Sequence, residues 1–350
     1  MRSAALAVSS AFVIATILPL IRREAWWIRI FDFPRPQITL GLFAAAGALL
    51  TTRKRGSATD RTALLLVTAS AAYQAWEMSR YTRFGRIQAL AAESEDPDRR
   101  VRLLIGNVLQ TNRNVRQYIE LIAACNPDLI VLAETDRYWE HSLRIVERDY
   151  PHTIKCPLEN TYGLVLYSRL PLIEPKILFR VEEDVPSFDT RVKLRTGDIF
   201  QLHVIHPRPP HIGVDTVERD AELILVAKQV KETTLPVIVT GDLNDVAWSH
   251  TTRLFLRLSS MLDPRLGRAF CNTFHAHLPL FRWPLDHLFH SRAFRLVNFE
   301  RGPKTGSDHF PVIVELSYEP HIRHDQERPT AEPEDYAEAQ RKLDNVLPAD

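Results

Sequence analysis

The stretch Pro236–Asn244, PVIVTGDLN, decides how the rest of the chain is interpreted. Its β-branched apolar run is typical of a buried strand, and the glycine that follows marks the end of that strand. Asp242 and Asn244 come next, two residues apart, so both side chains are expected at the carboxyl-end rim of a sheet, where open α/β sheets place their chemistry. Taken alone, the stretch is equally explained by a strand that ends in an ordinary Asx turn.

Length and composition restrict the class of protein. The chain has 350 residues, is 45% hydrophobic and carries a formal net charge of +1, so it can bury a full-size core. Its N-terminal part is basic and its C-terminal part acidic, which leaves the middle nearly neutral. That balance weakens, without excluding, a long-DNA substrate held mainly by charge. The three cysteines have no zinc-like spacing.

The N-terminal part, residues 1–90, is predicted to be a membrane anchor with about three transmembrane helices, roughly residues 3–21, 36–52 and 62–78. The first run lacks charged residues and is long enough to cross a hydrocarbon core of ~30 Å. A cleaved signal peptide is the alternative explanation for that run. Aromatic residues in the first loop are typical of a membrane interface.

Loop charges predict the orientation of this anchor. The second loop, residues 51–56, is densely basic, which favours a cytoplasmic N-terminus and an extracytoplasmic domain after residue 80. Arginines in the first loop and after the third span favour the opposite orientation. We expect a multi-pass membrane protein whose catalytic domain lies outside the cytoplasm.

Beyond a polar linker at residues 91–98, the pattern changes to that of one α/β domain, residues 99–318. Strands are predicted at 101–105, 128–133, 163–168, 191–195, 199–205, 236–240, 285–290, 295–299 and 311–316, and helices at 114–125, 214–231 and 249–258. So many short strands indicate more than one sheet. Residues 319–350 are rich in Glu, Pro, Asp and Arg and are predicted to be a disordered acidic tail.

Polar side chains gather where the predicted strands begin or end. They are Asn107, Glu134, His206, Asp242, Asn244, Asp286, Asp308 and His309. Any one of them has a structural explanation, such as a cap, an ion pair or a satisfied core histidine. Carboxylates and imidazoles are rarely collected in one domain unless there is a charge to bind or a proton to move.

This set of residues suits phosphoester chemistry. The oxygen ligands of Glu134 and Asp308, with the amide of Asn107 nearby, suit Mg²⁺ or Mn²⁺. A second carboxylate, Asp242 beside Asn244, could orient and deprotonate a water for in-line attack on phosphorus. The set therefore predicts a metal-dependent phosphoesterase.

Histidines supply the remaining part of that chemistry. His206 and His309 would donate to the non-bridging phosphate oxygens, where charge accumulates in the transition state. Asp286 is the natural carboxylate to fix the tautomer of His309.

These motifs also resemble a known family. Asn107, the strand end at Glu134, Tyr162–Arg169 (YGLVLYSR), His206-Pro207, Gly241–Asn244, Pro284–His287 (PLDH) and Ser307–Pro311 (SDHFP) occur in the order seen in the endonuclease/exonuclease/phosphatase superfamily, the DNase I-like fold. Over about residues 99–318 the resemblance implies an α/β fold, a four-layer sandwich of two mixed β-sheets flanked by helices, here preceded by transmembrane helices.

The resemblance also implies roles for single residues. Glu134 looks like the main metal ligand, with Asn107 and Asp308 adjoining. Asp242 resembles the water-activating aspartate and Asn244 its orienting partner, while His309 with Asp286 resembles the phosphate-binding His–Asp pair and His206 the second histidine. The partner of His206 stays open, the candidates being Tyr162, Glu182 and Asp189. Arg191 is interpreted either as a phosphate contact or as a surface arginine.

The expected function is that of a membrane-anchored, Mg²⁺- or Mn²⁺-dependent phosphodiesterase or nuclease. The alternative is a phosphatase or phospholipase C-like hydrolase of lipid headgroups, and a second alternative is a non-catalytic binding module on the same fold. The partners would be a nucleic acid or a phospholipid headgroup, and a lipid bilayer around the N-terminal spans. One loop is relevant to the choice between a lipid and a nucleic-acid substrate. Its apolar residues could contact a bilayer, pack beneath the loop or stack on bases. These residues are Phe274, Leu278, Leu280, Phe281 and Trp283.

Overall fold

The computed structural model describes residues 1–54 and 56–346. The helices in this part are α1 (Arg2–Ile17), α2 (Trp26–Arg29), α3 (Arg35–Thr52), α4 (Ala58–Ser79), α5 (Val115–Cys125), α6 (Arg137–Ser142), α7 (Val217–Glu232), α8 (His250–Ser259) and α9 (Pro333–Asp344). The strands are β1 (Arg100–Asn107), β2 (Leu129–Ala133), β3 (His152–Cys156), β4 (Leu164–Ser168), β5 (Leu172–Leu178), β6 (Ser187–Lys193), β7 (Ile199–Val204), β8 (Val237–Asp242), β9 (Asp286–His290), β10 (Phe294–Arg301) and β11 (Val312–Tyr318).

The strands form two mixed sheets. One has the order β10-β11-β1-β2-β4-β3 and the other the order β5-β6-β7-β8-β9. The pairs β1–β2 and β7–β8 are parallel, whereas their other neighbours are antiparallel. Helices flank the two sheets on their outer faces, so the predicted α/β arrangement of two mixed sheets between helices is confirmed.

Successive side chains of a strand face opposite sides of its sheet, and this alternation explains how the layers are built. In β1, Leu103 and Ile105 face the second sheet, while Leu104 faces α5. In β8, Ile238 faces the first sheet and its two neighbours, Val237 and Val239, pack beneath α7 and α8. A strand covered on both faces needs a continuous apolar run, which is the pattern that opens the sequence analysis.

The carboxyl ends of β1, β2 and β8 meet at one rim. β1 and β2 run parallel with Asn107 opposite Ala133, so Glu134 emerges beside Asn107. In the other sheet Asp242 pairs directly with Asp286 of β9. The rim thus collects polar side chains from both sheets over a fully apolar core.

Helices α1, α3 and α4 pack against one another in a separate bundle at the N-terminus. Their bounds are close to the three predicted spans, but only one helical segment of the described residues, Arg2–Leu20, is long and apolar enough to cross a membrane. Three spans are therefore not confirmed. The other two helices carry more polar residues, namely Arg35 and Gln37 in α3 and Asp60, Arg61 and Glu77 in α4.

The bundle is attached to the α/β domain by specific contacts. The Tyr81 hydroxyl donates to the carbonyl of Ala247 at 2.7 Å, and Trp248 Nε1 donates to the carbonyl of Asp32 at 2.7 Å. The Phe33 ring meets Trp283 edge-on at 5.8 Å. These contacts lie on the two loops that follow β8 and precede β9, so the helices are joined to the domain beside its functional rim.

The segment between bundle and domain is held along a sheet edge. Leu296 of the edge strand β10 donates its N–H to Leu90 and accepts from Ala92, both at 2.9 Å. The backbone N–H of Glu93 donates to the Glu319 carboxylate at 3.2 Å. Although the composition of residues 91–98 is that of a linker, backbone pairing fixes the start of this segment.

The C-terminal part differs from the disordered tail expected for residues 319–350. Residues 333–344 form α9, which begins with a capping box and buries Ala339 and Leu343 against α7 and α8. Ion pairs add to this packing, with Asp335 2.8 Å from Arg257 and Lys342 Nζ 2.9 Å from Asp220. Most residues of α9 are charged or polar, so its composition resembles that of a disordered segment. Residues 347–350 lie outside the described part of the chain.

Candidate functional site

The amide of Asn107 joins the two sheets at the rim. Its Nδ2 donates to Glu134 Oε1 at 2.7 Å and to Asp242 Oδ2 at 3.0 Å. Its backbone carbonyl accepts from the Tyr118 hydroxyl at 2.9 Å and from Ser307 Oγ at 2.8 Å. With Asn107 buried, one side chain fixes the separation between a carboxylate of the first sheet and a carboxylate of the second.

Glu134 is a half-buried carboxylate without a cationic partner among the described residues. It follows β2 with a left-handed φ of 59°, and its Oε2 accepts from the backbone N–H of Gln110 at 3.1 Å. Burial raises the pKa of this carboxyl, and the nearby charge of Asp308 adds to that rise. A partly desolvated carboxylate held only by neutral donors fits a site for a cation.

Asp242 is the last residue of β8, and the backbone of the preceding glycine determines where it lies. Gly241 has φ 142°, and a Cβ there would lie 1.9 Å from the carbonyl oxygen of Ile205, so the position requires glycine. The backbone N–H of Asn244 donates to Asp242 Oδ1 at 3.0 Å, and Asn244 Nδ2 donates to the Pro207 carbonyl at 3.0 Å. Asn244 itself has a left-handed φ of 49°. Burial raises the pKa of Asp242.

His309 lies between two buried carboxylates. Its Nδ1 is 2.8 Å from Asp286 Oδ2, and its Nε2 is 3.6 Å from Asp242 Oδ2. Although burial alone lowers the pKa of His309, the negative charges of Asp286 and Asp242 raise it to about 10. The histidine is thus held as an imidazolium at neutral pH, with one ring nitrogen fixed and the other directed at Asp242.

His206 is the least supported of the expected residues. Its Nε2 lies 4.0 Å from Asp242 Oδ2, and its Nδ1 has no hydrogen-bond partner in the described chain. Burial lowers its pKa. Of the three candidate partners, only Tyr162 lies beside it, with ring centroids 5.9 Å apart. Glu182 pairs with Arg208 at 2.5 Å, and Asp189 pairs with His203 at 2.7 Å.

Asp308 is half-buried and its side chain contacts Ser307 Oγ at 3.4 Å. Its position raises the pKa of Glu134, so the two carboxylates are close enough to repel each other. Another group satisfies the spacing of a metal site, because ligand atoms of Asp242, Asp286 and His309 lie within 4.8 Å of one another. A divalent ion there would compete with the imidazolium of His309 for the same two carboxylates.

Other residues singled out in the sequence have different surroundings. Arg191 pairs with Glu174 at 2.8 Å on the surface of the second sheet, as expected for a surface arginine. In the apolar loop, Phe274 and Trp283 stack on each other at 6.0 Å. The remaining apolar side chains of this loop are exposed: Leu278, Leu280 and Phe281.

Three supporting residues had no predicted role. Tyr118 and Ser307 hold the backbone of Asn107, and Gln110 contacts Glu134 through its N–H. Ser307 stands inside the SDHFP motif, so its proximity to Asp308 was a usable signal. Tyr118 sits on the apolar face of α5 and is not distinguishable in the sequence from a core aromatic residue.

Comparisons with known proteins identify the family and the fold. The sequence profile of the Endonuclease/Exonuclease/phosphatase family matches residues 101–309. A UPF0294 protein of Vibrio cholerae serotype O1 is 28% identical over 132 residues, an alignment covering 37% of this chain and 45% of the relative. The chain therefore spans about half the length of the curated relatives it matches.

Solved structures with a similar fold include D. rerio TDP2 complexed with a single-strand DNA product, at 16% identity and a TM-score of 0.53, covering 62% of this chain and 99% of that one. The human Nocturnin catalytic domain with bound sulfate is 16% identical with a TM-score of 0.52, covering 67% and 98%. An endonuclease/exonuclease/phosphatase family protein from Bacteroides thetaiotaomicron is 18% identical with a TM-score of 0.52, covering 63% and 98%. At these identities the likeness shows the fold alone.

Proposed function

Because the chain belongs to the Endonuclease/Exonuclease/phosphatase family, we propose that it is a membrane-anchored, divalent-metal-dependent hydrolase of phosphodiesters. One observation carries the proposal: the Asn107 amide contacts both Glu134 and Asp242. A carboxylate suited to a cation is thereby fixed beside a buried carboxylate suited to accept a proton. Phosphodiester hydrolysis needs both within reach of one phosphorus atom.

Glu134, Asn107 and Asp308 would hold the metal, which we propose to be Mg²⁺ or Mn²⁺ because the donors are hard oxygens. In the structure the amide nitrogen of Asn107 faces the two carboxylates. Its Oδ1 accepts from the Leu109 N–H at 2.9 Å. A bound cation would replace the hydrogen bond to Glu134, and Asn107 would turn its amide oxygen towards the cation at the cost of the Leu109 contact. A bound divalent ion would supply polarisation of a phosphoryl oxygen.

Asp242 would act as the general base. Its raised pKa makes it a stronger proton acceptor than an exposed aspartate. Oδ1 accepts from the Asn244 N–H and Oδ2 accepts from Asn107 Nδ2. Because Oδ2 is also the oxygen near His309 and His206, its second lone pair would take a proton from the attacking water. Asn244 would orient the carboxylate and, through Pro207, connect it to the segment that carries His206.

His309 would bind the substrate phosphate. Asp286 holds Nδ1 and thus directs the Nε2–H of the imidazolium at the rim, where it can donate to a non-bridging oxygen. His206 Nε2 approaches Asp242 from the other side and would donate to a second oxygen. Two imidazole donors would stabilise the negative charge that develops as water attacks phosphorus.

The N-terminal bundle would anchor the enzyme in a membrane. Support comes from the apolar segment Arg2–Leu20 and from the outward side chains of the bundle, which include exposed Leu40, Phe43 and Leu65. The connection between α3 and α4 carries Arg53 and Lys54 at the end of the bundle away from the domain. Following the positive-inside rule, this end would be cytoplasmic and the catalytic domain extracytoplasmic.

The test uses the full chain in detergent, because α9 and the helical bundle both pack on the catalytic domain. We expect hydrolysis of bis-p-nitrophenyl phosphate or single-stranded DNA with Mg²⁺ or Mn²⁺, and none after chelation. Asp242→Asn should abolish activity while the thermal transition is preserved. If the folded parent protein cleaves no phosphoester with any divalent metal, the proposal fails and a non-catalytic binding module is favoured.

A further inference from the structure

We propose that the loop between residues 275 and 283 is a bilayer-contacting lip of the active site, and that the phosphodiester cleaved there belongs to a membrane phospholipid. This inference rests on the proposed function and adds its substrate class. The apolar lip is defined as Leu278, Leu280 and Phe281, which are 49%, 78% and 51% exposed.

The base of this loop is firmly held, whereas its tip faces outward. Phe274 and Trp283 stack on each other at 6.0 Å, and their backbones form a bridge. Trp283 also meets Phe33 of the N-terminal segment. Removing a large apolar side chain from water is favourable, so a rigidly presented apolar tip is suited to an apolar environment outside the protein.

The lip lies next to the start of a bundle helix. Gln37, in the first turn of α3, donates from Nε2 to the Leu280 carbonyl at 2.6 Å. Leu40, one turn further on the same face, is 71% exposed, and Phe43 follows at 57%. The exposed apolar side chains of α3 therefore continue onto the lip, and a bilayer surface that covers Leu40 and Phe43 would also reach Leu280.

The same loop also contacts the active site. The Ala276 N–H donates to the Asp308 carbonyl at 2.6 Å, and the Phe274 ring lies 5.0 Å from the His309 ring. The proposed phosphate-binding histidine is thus separated from the lip by one short loop. Headgroups at a bilayer surface touching the lip would lie within reach of His309.

Positive charge beside the lip is complementary to a phospholipid surface. Arg282 and Arg301 lie over the Phe310 ring at 5.0 and 4.3 Å. Neither forms an ion pair with a carboxylate in the part of the chain that the structure describes. Because Phe310 directly follows His309, these two cations lie close to the proposed phosphate-binding histidine and would attract the phosphates of anionic headgroups.

A nucleic acid fits this surface less well. Bases stack on aromatic faces, whereas two of the three lip residues, Leu278 and Leu280, are aliphatic. The formal net charge of +1 is also small for a protein that neutralises many phosphates along a strand. Aliphatic side chains beside isolated cations instead match the boundary between headgroups and acyl chains.

The reaction consumes one water per phospholipid. The water oxygen forms a bond to phosphorus, and the bond between phosphorus and one ester oxygen breaks. One water proton passes to Asp242 and is later released to solvent. The departing alkoxide takes up one proton from solvent and leaves as an alcohol, so no net proton is consumed in these two transfers. The phosphate diester becomes a monoester, and no oxidant or second co-substrate is needed.

The test compares substrates on one preparation of the full chain in vesicles of phosphatidylglycerol and phosphatidylcholine with Mg²⁺ or Mn²⁺. The lip variant is Leu280→Ser with Phe281→Ser. The matched control is Ile177→Ser with Phe179→Ser, because these two residues are also exposed, at 41% and 48%, but lie away from the lip. Release of vesicle lipid phosphate, cleavage of bis-p-nitrophenyl phosphate and cleavage of single-stranded DNA are measured for each protein.

We expect the parent and control proteins to cleave vesicle lipid. The lip variant should cleave vesicle lipid roughly tenfold more slowly than the parent, equivalent to ~1.4 kcal/mol. It should cleave the soluble diester at the rate of the parent. Cleavage of the soluble diester or DNA by the parent without cleavage of lipid overturns the inference and leaves the proposed function standing. Cleavage of vesicle lipid by the lip variant at the rate of the parent also overturns the inference. A parent protein that cleaves none of the three overturns the proposed function itself.

Discussion

His309 Nδ1 lies 2.8 Å from Asp286 Oδ2, and both groups are buried. Asp286 Oδ1 has no hydrogen-bond partner in the described residues, so the carboxylate is not held by a large network and its main contact is this imidazole. Two explanations of the pair can be separated experimentally. In one it binds phosphate, and in the other its atoms hold a metal together with Asp242.

Replacing Asp286 by Asn keeps the shape of the side chain and removes its charge. We expect kcat to fall roughly 10–100-fold, as for other residues that orient a histidine, because the imidazole loses the partner that fixes its tautomer. The metal concentration for half-maximal activity should stay unchanged. A large rise in that concentration would instead assign the metal to the cluster of Asp242, Asp286 and His309.

Glu134→Gln, in contrast, should change the metal concentration needed for half-maximal activity. The amide keeps the contact with Asn107 but loses the charge that would bind the cation, so the Mn²⁺ concentration for half-maximal activity should rise by roughly tenfold or more. Calorimetric titration of Mn²⁺ into the inactive Asp242→Asn and Asp242→Asn/Glu134→Gln proteins measures binding without activity. Unchanged affinity in the double variant would remove Glu134 from the metal site.

Lys342 of α9 provides a test of the C-terminal helix. Its Nζ contacts Asp220 at 2.9 Å and Glu24 at 2.7 Å, and removing it leaves a buried carboxylate with less compensation. Because Asp220 keeps its contact with Arg219 at 2.9 Å, Lys342→Met should lower the free energy of unfolding by about 1–3 kcal/mol, measured by denaturant titration. Lys231→Met, at an exposed position of α7, is the control and should change stability little. Equal stability of the two variants would show that α9 is not docked.

Glu222 predicts a pH dependence of stability. Burial raises the pKa of this carboxyl from 4.5 to about 8, despite the nearby charge of Arg180. The unfolded chain releases the proton near pH 4.5 and the folded protein only near pH 8, so the stability that Glu222 contributes is complete below pH 4.5 and is lost as the pH rises through 8.

Glu222→Gln removes that loss. The melting temperatures of parent and variant should agree most closely near pH 4.5, and the variant should melt several degrees higher at pH 8. Scanning fluorimetry across this range measures the difference, with Glu232→Gln at an exposed position of α7 as control. A constant difference at all pH values would mean that Glu222 titrates normally in the folded protein.

The sequence predicted the strands that are buried on both faces and the edge strands β9 and β10, but it did not predict the edge strands β3 and β5. β8 has an unbroken apolar run, and each of its residues is buried. β3 and β5 are edge strands with mixed polarity, and β5 contains Pro175, which is tolerated only at an edge or bulge. Their positions are determined by pairing with β4 and β6, which local pattern does not report.

The sequence predicted which residues meet at the rim better than it predicted their contacts. Strand ends identify Asn107, Glu134 and Asp242, because a buried strand must release its polar residues at a rim. No pattern indicates that one amide nitrogen contacts both carboxylates, since this depends on how the two sheets pack. His206 Nδ1 has no hydrogen-bond partner among the described residues. This also depends on the residues packed around His206, which its own segment of sequence does not indicate.

The backbone pairing of Leu90 and Ala92 with Leu296 fixes the segment that connects the helical bundle to the edge of the first sheet. In an enzyme attached to a bilayer as we propose, the mouth of the site would stay at one height and one tilt above the surface. Substrate would arrive by lateral diffusion beneath it. Turnover would then follow the number of substrate molecules per unit area of membrane, and diluting the suspension would leave the rate per enzyme unchanged.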